Sequence, residues 1–280
     1  MNDARLEPTA HTTAVASTVD VPTIVAQAQA VRDQQPLIQC LTNNVTVNLV
    51  ANVLLAAGAT PAMVETAGES EIFTQVASGI LINLGTLHPA QVDGIRAIDL
   101  TAESTPAWVL DPVAVGALPI RTELAADLLN ARPTVIRGNA SEIVALAGVG
   151  EGGRGVDSVH TPEDAADAAR DLAQRTGGAV AVSGPVDLIT DGTTTVRVSN
   201  GHPMLASITG GGCALGALTA AYAAVAPTPL IGAVAATVVY GIAGEQAAAA
   251  SRGPGSFGVE LLDALFTITS DDITAKAKLA

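Results

Sequence analysis

The residues best suited to chemistry are Ile208-Thr209-Gly210-Gly211-Gly212-Cys213, which run directly into an apolar helical stretch at 214–225. Three glycines opening a helix allow backbone N–H groups to converge on one point, and the helix N-terminus adds a partial positive charge there. Such a turn suits a phosphate, or the charge that develops while a phosphoryl group is transferred. The alternative is a tight turn in which glycine only relieves steric strain. Cys213 falls in the first helical turn, where the helix terminus favours a thiolate, so it could take a proton from a substrate hydroxyl. A free cysteine is also a small residue that packs under a helix. Cys40, at the end of an expected strand, reads as core.

A second group is Arg137-Gly138-Asn139-Ala140-Ser141-Glu142, at an expected strand-to-helix junction. Asn139 or Ser141 can cap the helix, with Glu142 in its first turn, and capping alone would explain those three residues. It leaves Arg137 unexplained at a strand end, where ligands bind in α/β sheets. The third group is Asp111-Pro112-Val113, just after the apolar run 108–110. A carboxylate at that edge can hold a magnesium-bound water or orient a phosphate; an ordinary Asp-Pro turn is the alternative. His11, His88, His160 and His202 lack metal-ligand spacing, which argues against zinc. There is no Gly-rich loop ending in Gly-Lys-Ser/Thr and no G-x-G-x-x-G after a strand, so a nucleotide must be held by other means.

These groups need a scaffold that brings strand ends together. Short apolar runs at Leu37–Leu41, 62–64, 80–84, 108–110, 134–136 and 179–182 alternate with helical patterns at Val47–Ala57, 89–103, 121–131 and 141–147. That alternation predicts a mainly parallel sheet with helices on both faces. Thr161 as cap, Pro162 at the first position, then Glu163 and Asp164 predict a helix ending at Gly177-Gly178. Asp187–Thr190, Asp191-Gly192 and 193–199 predict a hairpin with a two-residue turn. From Cys213 onward the chain reads as all helix. Residues 1–20 read as a flexible leader, the Gly-rich stretch 150–155 as a loop, and 21–280 as one domain.

Composition narrows the function. With 49% hydrophobic but only 2% aromatic residues, the core must be aliphatic. Thirteen Lys and Arg against 27 Asp and Glu give a net charge of -14, and the only lysines are Lys276 and Lys278. That balance argues against nucleic acid and anionic membrane as partners, because both demand a cationic footprint. An anionic ligand must be met locally, by backbone N–H groups, one arginine or a metal. Two cysteines cannot form a disulfide framework and fit a reducing cytoplasm. No secretory h-region is visible, and the longest apolar stretch, 230–244, is too short to span a bilayer and reads as a buried helix.

Taken together, several segments resemble the hydroxyethylthiazole kinase family. They are Leu41-Thr42-Asn43, Asn48, Ala51-Asn52, Gly58-Ala59-Thr60-Pro61-Ala62-Met63, Asn83-Leu84-Gly85-Thr86-Leu87 and Leu110-Asp111-Pro112-Val113. The series continues with Ile136-Arg137-Gly138-Asn139-Ala140-Ser141-Glu142-Ile143, Gly155-Val156-Asp157-Ser158, Val182-Ser183-Gly184, Asn200-Gly201-His202-Pro203 and Thr209-Gly210-Gly211-Gly212-Cys213. The likeness runs from about residue 36 to 270. It implies a ribokinase-like α/β fold and a homotrimer with active sites at subunit interfaces. It also implies transfer of the γ-phosphoryl of ATP to 4-methyl-5-(2-hydroxyethyl)thiazole with Mg2+, a thiamine biosynthesis and salvage step.

At matched positions the resemblance implies a thiazole pocket lined by Asn43, Val45 and Met63, with Gly210 near the substrate hydroxyl. It implies Arg137 and Ser183 on the ATP phosphates, and Asp111 and Glu142 organising magnesium. Cys213 stands where most ribokinase-like enzymes carry a catalytic Asp, and Gly210, Gly211 and Gly212 supply the amides of the turn. Two departures stand out. Gly211 replaces the Thr or Ala usual in the family, which predicts a looser turn with its amides kept. Ser183 replaces a frequent Thr and keeps the hydroxyl. The rivals are a related kinase of another alcohol, such as hydroxymethylpyrimidine or pyridoxal, an acyl-transfer enzyme pairing Cys213 with His202, and a non-catalytic thiazole- or nucleotide-binding protein.

Overall fold

The structure, a computed structural model, describes residues 19–148 and 161–280. Most of the expected leader, all of the Gly-rich loop 150–155, the segment Gly155-Val156-Asp157-Ser158, His11 and His160 lie outside the described residues.

The order along the chain is α1 (Val21–Gln34), β1 (Leu37–Leu41), α2 (Val47–Ala57), β2 (Thr60–Ala62), α3 (Ser70–Thr74), β3 (Gly79–Asn83) and α4 (Pro89–Ala97). Then come β4 (Ala107–Asp111), α5 (Pro119–Asn130), β5 (Val135–Asn139), α6 (Ala140–Ala147), α7 (Ala166–Thr176) and β6 (Ala179–Ser183). The hairpin β7 (Asp187–Thr190) and β8 (Thr195–Val198) and a short 3-10 helix (Pro203–Ser207) follow. The chain closes with α8 (Gly211–Val225), α9 (Pro229–Ala250), α10 (Pro254–Thr267) and α11 (Ser270–Lys276).

The eight strands form one sheet in the order β2-β1-β3-β4-β5-β6-β7-β8. Pairing is parallel as far as β6 and antiparallel for β7 and β8. Both faces of the parallel part are covered, which is why its strands are almost continuously apolar. The period of two sorts their side chains: Leu81, Val109, Val135 and Ala181 enter the core under α1, α2 and α8–α10. Ile82, Leu110, Ile136 and Val182 enter the core under α4–α7.

Several expected boundaries move, for local reasons. The helix expected over 89–103 ends at Ala97, because Asp99 Oδ1 accepts from the Thr101 N–H and gives the backbone a non-helical partner. Thr161 and Asp164 do exchange capping hydrogen bonds, but they close a turn of i→i+3 bonds, and α7 starts only at Ala166. The hairpin loop has four residues, 191–194, because Asp191 Oδ1 accepts from both Thr193 and Thr194 N–H groups. β2 begins two residues earlier than expected, tied by Thr60 N–H to the Pro36 carbonyl. α1 was not foreseen, although Asp20 caps it and Pro22 lies in its first turn. The all-helical C-terminal reading holds up to α11, after which Leu279 pairs with Val198 at the β8 edge.

The stretch expected over 230–244 belongs to the 22-residue α9, which is long and apolar enough by composition to cross a membrane. Its apolar window is 89% buried between α1, α8 and α10, as a core helix requires.

Candidate active site

The topology decides which expected residues can meet. Asn83, Asp111, Arg137 and Ser183 end four neighbouring strands or lie close to their ends. By the period of two they share a face with Leu81, Val109, Val135 and Ala181, the face that α8 covers. Register sharpens this: Asn83 stands directly opposite Asp111, and extending Leu110↔Ile136 by one residue puts Asp111 opposite Arg137. A polar row thus crosses β3, β4 and β5 at the carboxyl edge of a sheet that is otherwise apolar there.

α8 drops its N-terminus onto this row. Its cap is Gly210, at φ 93°, with no capping side chain. The first-turn amides therefore have no partner within the helix and none from a cap. A side chain at Gly210 would collide with Thr46, 2.8 Å from its Cβ, besides straining the left-handed backbone. The expected loosening at Gly211 is absent. The Leu205 carbonyl oxygen fills that space, 2.4 Å from where a Cβ would stand, and Tyr240 Oη of α9 donates to the Gly211 carbonyl at 2.9 Å.

Arg137, expected to be unpaired, is held from two sides. Its Nη2 donates to Ser183 Oγ at 2.7 Å and its Nη1 to the Gly212 carbonyl at 3.0 Å. Its Nε is buried with no protein partner. Together Arg137, Ser183, Gly211 and Gly212 line one cavity of about 550 Å³, which continues past Asp187 and His202 to Tyr240. The two residues expected to bind ATP phosphates and the Gly-rich turn thus face the same space.

Asp111 is 3% exposed. Its Oδ2 accepts from Asn83 Nδ2 at 2.7 Å and lies 3.9 Å from Arg137 Nη1. Burial pushes its carboxyl up to about 6; Arg137 opposes that rise and the neighbouring charge of Glu142 adds to it. Glu142 and Asn139 form a capping box on α6, and Glu142 Oε1 also accepts from the Ala114 N–H at 3.0 Å. Ala114 adopts φ 60°, and Thr86, in the turn after β3, adopts φ 45°. Two strained non-glycine residues at adjacent strand ends are the kind of cost that accumulates at functional sites. No cluster of three or more metal-ligating side chains exists among the described residues. Asp111 and Glu142 are nevertheless hard-oxygen carboxylates of the kind magnesium shares with phosphate.

The thiol expectation changes. Burial raises the Cys213 thiol above its ordinary range, and the charge of Asp111 raises it further, against hydrogen bonds from Thr46 and Asn83 and the charge of Arg137. His202 Nδ1 accepts from the Met204 N–H. Cys40 is fully buried, its thiol pushed up to about 12, and is core as expected.

The acceptor side is more open. Asn43, in the loop after β1, accepts the Val45 N–H on its Oδ1, and its Nδ2 lies 2.6 Å from where a Cβ on Gly85 would stand. Val45 is 65% exposed. Thr46 joins this loop to Gly210 and Cys213. Met63, at the end of β2, is half-buried against the core.

The sequence model of the "Hydroxyethylthiazole kinase family" matches residues 28–271. The chain belongs to the hydroxyethylthiazole kinase family. It is 53% identical over 262 residues to a protein named hydroxyethylthiazole kinase from Kineococcus radiotolerans, covering 92% of this chain and 94% of that one. A hydroxyethylthiazole kinase from Clavibacter sepedonicus is 52% identical over 260 residues, again covering 92% and 94%. The solved hydroxyethylthiazole kinase of Pyrococcus horikoshii superposes with a TM-score of 0.85 at 36% identity, over 92% of this chain and 98% of that one. Pyridoxal kinase from Staphylococcus aureus shares the fold, with a TM-score of 0.53 at 17% identity over 75% of this chain and 87% of that one.

As a member of the hydroxyethylthiazole kinase family the chain is a phosphotransferase, and its ribokinase-like sheet carries the polar row where such folds bind ligands. Residues not singled out as candidates now gain partners. Asn83, so far only part of a family segment, pairs with Asp111, and Tyr240 holds the Gly-rich turn. Thr46 lies against Gly210, and Asp187, expected only as the start of a hairpin, faces the cavity.

Proposed function

We propose that this chain transfers the γ-phosphoryl group of ATP to the hydroxyl of 4-methyl-5-(2-hydroxyethyl)thiazole, forming the phosphate ester and ADP for thiamine biosynthesis or salvage. The observation that carries the reading is the uncapped N-terminus of α8 facing the same cavity as Arg137 and Ser183, with buried Asp111 behind it.

Phosphoryl transfer asks for positioning and charge stabilisation. The amides of Gly210, Gly211, Gly212 and Cys213 meet the moving phosphoryl group. Arg137 and Ser183 hold the nucleotide phosphates, and the guanidinium offsets charge that this acidic chain could not otherwise accept. Asp111 and Glu142 would hold Mg2+, which would supply neutralisation of phosphate charge when bound. The acceptor hydroxyl lies beside Gly210 and Cys213, its ring against Asn43, Val45 and Met63. The bond from the hydroxyl oxygen to the γ-phosphorus forms as the bridge to the β-phosphate breaks, and the hydroxyl proton is released. A thiol raised by burial stays protonated at neutral pH, so Cys213 orients the hydroxyl. A loose transition state needs little help from a base.

The exposure of Val45 supports a homotrimer in which a neighbouring subunit closes the thiazole pocket. Two free cysteines and the burial of α9 support a cytoplasmic location, with residues 21–280 acting as one kinase domain.

The test is ADP release from ATP and Mg2+ with hydroxyethylthiazole, run beside hydroxymethylpyrimidine and pyridoxal. Thiazole-dependent ADP above both other alcohols is the expected result. Folded protein that binds ATP yet releases no ADP with the thiazole would overturn the assignment.

A further inference from the structure

Asn83 is fully buried at the carboxyl end of a central apolar strand, and an amide there costs stability unless both of its ends are bonded. Both are. Its Nδ2 donates to Asp111 Oδ2 at 2.7 Å and its Oδ1 accepts the Gly85 N–H at 2.9 Å. The chain is arranged to allow this. A Cβ on Gly85 would stand 2.9 Å from Asn83 Oδ1, and one on Gly216 of α8 would stand 3.3 Å from Asp111 Oδ2. The same Oδ2 faces Arg137, whereas among the described residues no protein group donates to Oδ1.

We infer that Asn83 is a positioning residue for phosphoryl transfer. Held by the Gly85 amide, it engages Oδ2 of Asp111 across the β3–β4 pair, fixes the carboxylate plane and leaves Oδ1 as the oxygen offered to the active site. Asn83 acts through Asp111 and touches neither substrate. A cross-strand partner suits this task, because the sheet register sets its distance and leaves little freedom to drift. The inference rests on the part proposed above for Asp111, and the test separates the two.

Turnover is measured for wild type, Asn83→Ala, Asp111→Ala and the double variant, with melting curves for each. Asn83→Ala is expected to lower kcat about 10- to 100-fold, the range seen when residues behind a ligand are removed, while both KM values stay within about threefold. In the Asp111→Ala background the same change should cost less than about twofold, because nothing is left to position. Magnesium-dependent binding of ADP, followed by calorimetry, should weaken about 10-fold in Asn83→Ala without any turnover being involved. Asn83→Asp keeps the volume and the acceptor for Gly85 but replaces the donor to Asp111 with a charge, and is expected to be as impaired as Asn83→Ala. Independent, multiplicative losses in the double variant would overturn the inference, as would wild-type turnover in Asn83→Asp. Loss of cooperative melting in both Asn83 variants would make Asn83 a folding residue and overturn it too. Full activity in Asp111→Ala would instead remove the role given to Asp111.

Discussion

The two halves of the cleft are built to different standards. On the nucleotide side every expected group is held. Arg137 is bonded to Ser183 and to the Gly212 carbonyl, Tyr240 holds the Gly211 carbonyl, and Leu205 fills the space beside the turn. On the acceptor side Asn43 is braced by its own loop, but Val45 points outward and Met63 rests on the core. A single chain therefore pre-organises the charged part of the reaction, where misplacement costs most. The proposed apolar part, which needs shape more than angle, is the more exposed of the two.

The sharpest break of this contrast is Arg137→Ala, which removes two charge-assisted hydrogen bonds on the nucleotide side. It should lower kcat/KM for ATP on the order of 10²-fold and leave the KM for the thiazole nearly unchanged. Steady-state kinetics varying each substrate decides this, and an unchanged ATP dependence would take Arg137 out of the nucleotide site. Next is Cys213→Ala, between the halves. Turnover should fall about 10-fold, short of the 10²–10⁴ of a lost general base, with thiazole binding almost intact. Wild-type turnover would reduce Cys213 to packing.

A smaller effect concerns charge stored on the nucleotide side. Burial pushes Asp187 up to about 6, against the Gly184 N–H and the charge of Arg137, as it does Asp111. Between the unfolded value near 4 and the folded value near 6, the folded chain binds more protons, so stability falls as pH rises across that window and is flat above it. Asp187→Asn keeps an acceptor for Gly184 and should flatten part of that slope. At pH 7 it should gain less than about 1 kcal/mol, because Asp187 is partly solvated. Unfolding by urea from pH 4.5 to 7 reads both quantities. The smallest effect is on the open side, where Val45→Ala should raise the thiazole KM a few-fold and leave the ATP KM alone. Equal shifts in both would mean that the halves are not separable.

The parts legible in the sequence were those whose cause is local. Leu37–Leu41, Val47–Ala57 and the strand–turn–helix at Arg137 to Glu142 could be read because apolar period, caps and glycines are short-range signals. The Gly-rich turn could be read for the same reason. Part of what was missed is also local: Asp99 ends α4 by accepting from Thr101, and Asp164 closes a turn before α7 by bonding Thr161. The rest depends on contacts between distant segments. The raised Cys213 thiol needs the sheet beneath it, and the Asn83–Asp111 pair needs the register of β3 on β4. The substitution of glycine at 211 looked like slack because Leu205, which fills it, approaches only after the chain has folded back.

The strand order has a consequence for how the molecule comes into being. From β4 to β8 each strand lies beside the one made just before it, so that part of the sheet can grow as the chain emerges from a ribosome. Of the helices on the α8 face of the sheet, α8, α9 and α10 are synthesised later, together with the Gly-rich turn. A nascent chain stopped before Gly210 would carry Asp111 and Arg137 on finished strands, with no amides above them and Leu81, Val109 and Val135 uncovered. It would have the charges of a kinase and the surface of an aggregate, and α8 resolves both problems in one docking step.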